Sequence, residues 1–280
     1  MKISVLFSKL KKRIKAKLSP KKINVKTKEG KRFYLYNPPF NIETEIFWQG
    51  FENFNWERKT RKIWIELCQR ADSILDIGAN SGIFSVLAKV YNPESTVYAF
   101  EPQPNIYEVL EKNNRINNFD ILCQRIAISD VNSTMPFYNY GNDPFGKGNT
   151  TAGSLNKEWR PNKQKFIEVD VVTLDSFIAR KNIKKIDLLK IDVETLEAEV
   201  LNGYREHFFI HNPTVVMEIQ NTKIGKKINS FFKDNNYHYF NIDESKGLLP
   251  TTELGNHDDR NYLICHNEKL DLIKGINIMD

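Results

Sequence analysis

Residues 73–90 read SILDIGANSGIFSVLAKV. The first five, SILDI, have the apolar character of a buried strand, and an apolar helix near 82–91 follows a turn carrying Gly78, Asn80 and Gly82. Glycine lets the backbone turn sharply and approach a ligand closely, and the helix N-terminus offers unpaired N–H groups to a carboxylate or phosphate. Two cofactor classes fit such a loop: nicotinamide or flavin dinucleotides, and S-adenosylmethionine. The loop lacks the G-x-G-x-x-G spacing of the first class, because position 81 is Ser and position 83 is Ile.

Outward from this unit the chain alternates strand and helix. TVYAF (96–100) reads as a second strand, 104–117 as a helix and ILCQRIAI (121–128) as a third strand. IDLLKID (186–192), TVVMEI (214–219), HYFNI (238–242) and NYLICH (262–267, or one residue earlier) continue as strands, with helices near 195–203 and 223–235. Such alternation predicts an α/β, Rossmann-like fold with a seven-stranded, mostly parallel, doubly wound sheet. The stretch 131–181 interrupts the rhythm with four glycines and the strand-like KFIEVDVVTL, and is read as an inserted β-ribbon. GKGNTTAGSL (146–155) within it is read as a mobile substrate loop.

Glu101 closes the second strand about 20 residues beyond the glycine loop, where a carboxylate accepts hydrogen bonds from both ribose hydroxyls. That placement serves an NAD enzyme as well as an S-adenosylmethionine enzyme. The fourth strand separates them. IDLLKIDVETLEAEVLNG (186–203) delivers Asp192 and Glu194 to the carboxyl edge of the sheet and starts a helix at Glu197. A nicotinamide enzyme would show a Tyr/Lys pair or a His/Asp relay there; clustered acids instead suit holding and deprotonating a hydroxylated acceptor. Asp192, Glu194 and Glu218 also have the oxygens to hold a divalent cation, but nothing in their spacing fixes octahedral geometry, so no metal ligand is assigned. His257, in the polar loop LGNHDDRN, is a further acid–base candidate.

With DIGANSG (76–82), AFEPQP (99–104), TLDSF (173–177), LLKIDVE (188–194) with Glu197, and Glu218, the chain resembles the FkbM-type family of S-adenosylmethionine-dependent O-methyltransferases over roughly residues 43–266. By that resemblance Asp76, Gly78, Asn80 and Gly82 hold the methionine end of S-adenosyl-L-methionine and Glu101 its ribose, with Ala79, Pro102 and Ala127 in the same cofactor set. Asp192, Glu194 and Glu197 face the transfer site, with Glu218 near it. The family's D-V-E-G-A-E is here Asp192-Val193-Glu194-Thr195-Leu196-Glu197, which narrows the approach to the helix start. The acceptor implied is a hydroxyl of a sugar in a bacterial surface polysaccharide or lipid-linked glycan, with a free small molecule or nucleotide-linked sugar as the alternative. A non-catalytic adenosine-binding module is the reading from another class.

The chain has 280 residues, 40% hydrophobic and 27% charged, a composition that excludes disordered and fibrous classes. Its net charge of +6 is concentrated in the first 32 residues. Three separated cysteines, Cys68, Cys123 and Cys265, form neither metal-site nor disulfide spacing and point to a reducing cytosol. In the opening segment, residues 1–20, Ile3, Phe7, Leu10, Ile14 and Leu18 recur at helical steps among lysines, the pattern of a helix on the inner face of an anionic membrane or of a basic arm. Apart from Phe7, no aromatic residue interleaves with those lysines as nucleic-acid binding would require. The expected organisation is this segment, an extension over 21–70 with a β-hairpin around Glu29-Gly30 and a helical segment, and a methyltransferase domain over 71–280. Asn37-Pro38-Pro39-Phe40 matches the N-P-P-[FY] motif of amino methyltransferases but stands at the wrong place in the order, and is read as a turn.

Overall fold

A computed structural model describes residues 14–38, 41–140, 153–159, 164–274 and 276. The described residues begin with helical 14–18, then the antiparallel hairpin β1 (Lys22–Lys26) and β2 (Arg32–Tyr36). Its alternation buries Ile23, Val25, Phe33 and Leu35 on one face. Helix α1 (Asn41–Gln49) follows, then α2 (Arg58–Cys68). The helical segment expected after the hairpin is thus two helices, parted at Gly50 and at Glu57, both at positive φ. Ile63, Trp64 and Leu67 of α2 pack into the core, as do Phe51 and Phe54, whereas Trp48 is exposed.

The main unit runs β3 (Ser73–Ile77), α3 (Ile83–Tyr91), β4 (Thr96–Phe100), α4 (Pro104–Ile116), β5 (Leu122–Gln124), β6 (Ala127–Ser129), β7 (Ser133–Tyr140), β8 (Gly153–Ser154), β9 (Gln164–Thr173) and α5 (Leu174–Lys181). It continues with β10 (Leu188–Ile191), α6 (Glu197–Asn202), α7 (Arg205–His211), β11 (Thr214–Glu218), α8 (Thr222–Phe232), β12 (Tyr237–Asp243), β13 (Gly247–Thr251), β14 (Asn261–His266) and α9 (Leu270–Lys274). Strand order in the large sheet is β13-β12-β14-β11-β10-β3-β4-β5. The five strands from β11 to β5 are parallel, and β14 runs antiparallel between β11 and β12. The sheet therefore has eight strands rather than seven: the chain after β12 turns at 244–246 and pairs back as β13. LLKI and TVVM are buried along their length because helices cover both faces, the burden of a parallel sheet.

The expected third strand over 121–128 is broken in two. β5 pairs with β4 in the large sheet, while β6 belongs to a second sheet of order β6-β9-β7-β8. That second sheet is the inserted ribbon, seated on Ala127, Phe137, Val169 and Val171. Most of the expected mobile loop lies outside the described residues; of it, Gly153, Ser154 and Leu155 are described.

The hairpin meets α4 through asparagine side chains. Asn117 takes the N–H of Tyr34 on Oδ1 at 2.7 Å and donates Nδ2 to its carbonyl at 2.8 Å, imitating a neighbouring strand. Asn113, fully buried, accepts the N–H of Tyr36 at 2.6 Å and donates to the Ser81 carbonyl in the glycine loop at 2.7 Å. Asn37 is likewise structural, donating to the Pro20 carbonyl and accepting from Thr44, while Pro39 and Phe40 lie outside the described residues.

Candidate functional site

The sheet order reverses between β3 and β10, which opens a crevice at their carboxyl ends. Ile77 and Ile191 are register partners, and the Asp192 N–H donates to the Ile77 carbonyl at 3.0 Å, so the chains leaving the two strands start side by side. Gly78 is at φ +80°, and a Cβ there would sit 1.9 Å from the Asp192 carbonyl oxygen. Only glycine fits this backbone-to-backbone contact. Gly78 and Ala79 donate to the Phe100 carbonyl, which folds the loop toward the end of β4.

The resulting cleft holds about 680 Å3 of open space, solvent at its mouth included. Gly78, Asn80, Glu101, Pro102 and Ala127 line it from the cofactor set, and Asp192 and Glu194 from the acidic set. Gly153 and Leu155, from the stretch expected as a substrate loop, close one side together with Phe137, which the sequence reading did not single out. Glu101 accepts the Gln103 N–H at 2.8 Å and the Asn80 N–H at 3.1 Å. Burial pushes its carboxyl up to about 7, against the pull of those two N–H groups.

The other residues of the cofactor set lie beneath the cleft. Asp76 is fully buried and accepts the Ser85 hydroxyl at 2.6 Å; its second oxygen has no partner among the described residues. Ala79 is buried, and Gly82, at φ +85°, starts α3 against Leu110. Burial raises the Asp76 carboxyl, Lys190 nearby opposing it. These residues shape the loop rather than contact the open space.

The acidic set divides in the same way. Asp192 Oδ2 pairs with Lys190 Nζ at 3.1 Å. Glu194, at φ +57°, accepts Gln220 Nε2 at 2.5 Å, and Gln220 also reaches Glu218 at 3.5 Å. Burial, and then the adjoining Asp192, push Glu218 up to about 7. Glu197 turns inward: it is fully buried, accepts the Thr195 N–H at 3.0 Å and does not line the cleft. Its expected position facing the transfer site is therefore not the one it occupies, because its carboxylate closes the 194–197 turn on itself. Burial pushes it up to about 8. His257 accepts or donates to the Tyr262 hydroxyl at 3.0 Å and lines a separate groove beside β12 and β13. Its ring is not gathered with the acids.

Where the family pattern has Gly-Ala, Thr195 stands at φ +88° and Leu196 lines the cleft. The turn is held by the ribbon: Ser154 Oγ donates to the Glu194 carbonyl at 2.8 Å and Asn156 Nδ2 to Thr195 Oγ1 at 2.8 Å. The inserted ribbon is thereby tied to the acidic motif.

Lys190 is the central residue that sequence reading passed over. Its side chain is 4% exposed, with the ammonium 4.6 Å from the Phe84 ring. Burial disfavours its charge, but Asp192, Glu57 and Asp76 together hold it firmly protonated. A lysine inside the otherwise apolar LLKI was the available signal, since a buried ammonium needs anionic partners. Glu43 of α1 was also passed over; it bonds the Ser81 side chain, and burial pushes its carboxyl up to about 7.

Asp175, Glu206 and His207 form a tight group that could hold a metal ion, but Asp175 is already engaged. It accepts the Glu206 and His207 N–H groups at the start of α7, and His207 Nδ1 at 2.8 Å.

The cleft fits S-adenosylmethionine on three counts. Gly78 brings backbone close to a ligand, Glu101 presents a buried carboxylate at the end of β4, and apolar Pro102, Ile126 and Ile128 flank it. Residues 76–239 match the family model described as "Methyltransferase FkbM domain". Among curated relatives, "Methyltransferase 1" of Beauveria bassiana is 29% identical over 170 residues, 54% of this chain and 65% of that protein. "31-O-demethyl-FK506 methyltransferase FkbM" of Streptomyces tacrolimicus is 29% identical over 169 residues, 53% and 65%. "2-O-methyltransferase NoeI" of Sinorhizobium fredii is 26% identical over 172 residues, 57% and 69%. The chain thus spans under two thirds of the length of the first two of these relatives. A solved structure of methyltransferase FkbM from Methylobacillus flagellatus aligns at 15% identity and TM-score 0.43, over 69% of this chain and 43% of that one. With the glycine loop, Glu101 and the acidic motif inside the matched stretch, the chain belongs to the FkbM methyltransferase-domain family.

Proposed function

We propose that the protein transfers the methyl group of S-adenosylmethionine to a hydroxyl of a sugar, in a bacterial surface polysaccharide or lipid-linked glycan. The observation that carries this reading is one cleft lined by carboxylates from two strand ends, Glu101 after β4 and Asp192 and Glu194 after β10, with β3 between those strands. Two curated relatives have names that specify oxygen as the acceptor atom, "31-O-demethyl-FK506 methyltransferase FkbM" and "2-O-methyltransferase NoeI", and a third, of Haloferax volcanii, is "Hexuronic acid methyltransferase AglP".

In this reading the cofactor supplies an electrophilic methyl group on a sulfonium. Gly78 and Asn80 contact its amino-acid end and Glu101 accepts from its ribose hydroxyls. Asp76, Ala79 and Gly82 hold the loop in shape from below, and Pro102 and Ala127 flank the base. Asp192 and Glu194 take hydrogen bonds from the acceptor, and Lys190 fixes the Asp192 carboxylate so that it need not reorganise as the reaction proceeds. Most of the rate comes from aligning donor and acceptor and excluding water, the second being the work of the ribbon.

The methyltransferase domain spans 71–280 in this proposal, with 21–70 an extension and 1–20 a basic arm open to peripheral contact with an anionic membrane at its cytoplasmic face. Exposed Ile14, Leu18, Phe47 and Trp48 would face such a surface, while the Lys15–Glu45 ion pair and the Trp48 indole N–H donating to Ser19 dock residues 14–19 on the extension. No helix among the described residues is long and apolar enough to cross a membrane.

The test is calorimetric titration with S-adenosylmethionine and NAD on wild type and Glu101→Ala, followed by methyl transfer to uronic-acid and deoxysugar glycosides. Binding of S-adenosylmethionine alone, lost in the variant, with turnover on a glycoside, supports the reading. A preference for NAD refutes the cofactor; turnover on non-sugar alcohols alone refutes the sugar.

A further inference from the structure

The inserted ribbon meets the acidic motif at a glutamine. Gln220 stands two residues beyond Glu218, so strand alternation puts both side chains on one face. Its backbone is fixed on either side: the Ile219 N–H donates to the Arg260 carbonyl at 2.8 Å, and Asn221 caps α8 by accepting the Ile224 N–H at 3.1 Å. From this fixed point the Gln220 side chain donates Nε2 to Glu194 Oε2 at 2.5 Å, with Glu218 Oε2 at 3.5 Å from the same nitrogen. Neither Gln220 nor its own partner, Trp159, stands in a motif read from the sequence.

Trp159 holds the other end of the amide. Ser154 Oγ accepts the Asn156 N–H at 3.0 Å, Asn156 Oδ1 accepts the Glu158 N–H at 3.0 Å, and the Trp159 N–H donates to the Asn156 carbonyl at 3.2 Å, so 154–159 is a turn braced by its own side chains. That turn presents the indole, whose Nε1–H donates to Gln220 Oε1 at 3.3 Å. An indole nitrogen can only donate, and an ionised carboxylate can only accept. The amide therefore has one satisfactory orientation, oxygen toward Trp159 and NH2 toward Glu194; turned over, it would set NH2 against N–H and oxygen against carboxylate. Glu194 lines the cleft, and the same turn pins its backbone, because Ser154 Oγ donates to its carbonyl at 2.8 Å.

We propose that Trp159 and Gln220 are positioning residues for methyl transfer: the indole N–H fixes which way round the Gln220 amide stands, and the amide holds the Glu194 carboxylate in place at the cleft. The inference rests on the hydroxyl-methylation reading above, in which Glu194 takes a hydrogen bond from the acceptor. Neither Trp159 nor Gln220 lines the cleft, so both act through Glu194. A glutamate on a flexible side chain has to be ordered as the reaction proceeds, whereas one held at its carbonyl and its carboxylate is already in position. That difference appears in the rate rather than in cofactor affinity. The amide does this without bringing a second ammonium beside the one that pairs with Asp192.

The test has two arms on the full chain. The first needs no acceptor: nitrogen-15 NMR of protein saturated with S-adenosylhomocysteine follows hydrogen exchange at the Gln220 side-chain NH2, identified by its loss in Gln220→Met. Exchange there should be slower than at an exposed glutamine by about tenfold or more in wild type, and Trp159→Phe should remove most of that protection. The second arm follows methyl transfer to whichever glycoside the wild type accepts. Trp159→Phe should lose about tenfold in kcat and Gln220→Met about 30-fold, with acceptor KM and cofactor affinity within about threefold of wild type. The double variant should be no slower than Gln220→Met alone, because the indole works through the amide. Should Gln220→Met fail to fold, Glu194→Gln takes its place in the cycle, and Trp159→Phe should then cost nothing further. Gln220 protection unchanged in Trp159→Phe overturns the proposal, and so do a kcat unchanged in Trp159→Phe and losses that multiply in the double variant. Wild type that methylates no glycoside refutes the sugar reading, and the exchange arm then decides the Trp159–Gln220 lock by itself.

Discussion

Replacing Lys190 by methionine removes the ammonium around which Asp192, Glu57 and Asp76 are arranged. Methionine preserves most of the volume, so lost packing contributes under about 1.5 kcal/mol. Taking one partner from a buried ion pair costs roughly 3–5 kcal/mol, because the remaining charges are left uncompensated. That cost is felt in full only where the acids are ionised. Glu57 and Glu218 have folded values near 8 and 7, raised above their usual 4.5. A carboxyl raised in this way weakens the fold as pH climbs from the unfolded value through the folded one. Loss of Lys190 raises both further and steepens the decline. The variant should therefore be about 3–5 kcal/mol less stable than wild type at pH 8.5, and within about 2 kcal/mol of it at pH 5. Urea unfolding followed by circular dichroism at the two pH values measures this. A loss of equal size at both would refute charge compensation and leave packing as the cause; no loss at either would refute the buried pair itself.

Four further outcomes are expected. Gly78→Ala should lower stability by about 2–4 kcal/mol, from the positive φ and the overlap with the Asp192 carbonyl, and abolish cofactor binding in calorimetry. S-adenosylmethionine affinity should rise between pH 6 and pH 8 as Glu101 ionises, and Glu101→Gln should flatten that dependence while weakening binding about 100-fold. In an Asn156→Ala background, where the bond to Thr195 is already gone, Thr195→Gly should stabilise the protein by about 1 kcal/mol in thermal unfolding by relieving φ +88°. Glu43→Gln should be stabilising above pH 7 and neutral near pH 4.5, because the wild-type carboxyl, raised to about 7, costs most once ionised in its buried site; urea midpoints across that range check the sign.

Strand and helix alternation was legible because covered parallel strands are short apolar runs: LLKI and TVVM read directly as interior strands. The run ILCQRIAI misled for the same reason, since apolarity does not reveal that the backbone turns at Arg125-Ile126 and changes sheet. Spacing located the residues that surround the cleft but not the direction of their side chains. Asp76 and Glu197 stand in the motifs and point inward, a matter of loop conformation that composition does not encode.

The asparagines of α4 bear on how the first part of the chain and the glycine loop breathe. Asn113 spends one side of its amide on the Tyr36 N–H and the other on the Ser81 carbonyl, so neither contact can open without stranding a buried polar group. Fraying of the hairpin and opening of the loop become one event with one free energy. Deuterium exchange at the Tyr36 amide, on the outside of the protein's first sheet, then reports on the cofactor loop, and slows when that loop is occupied.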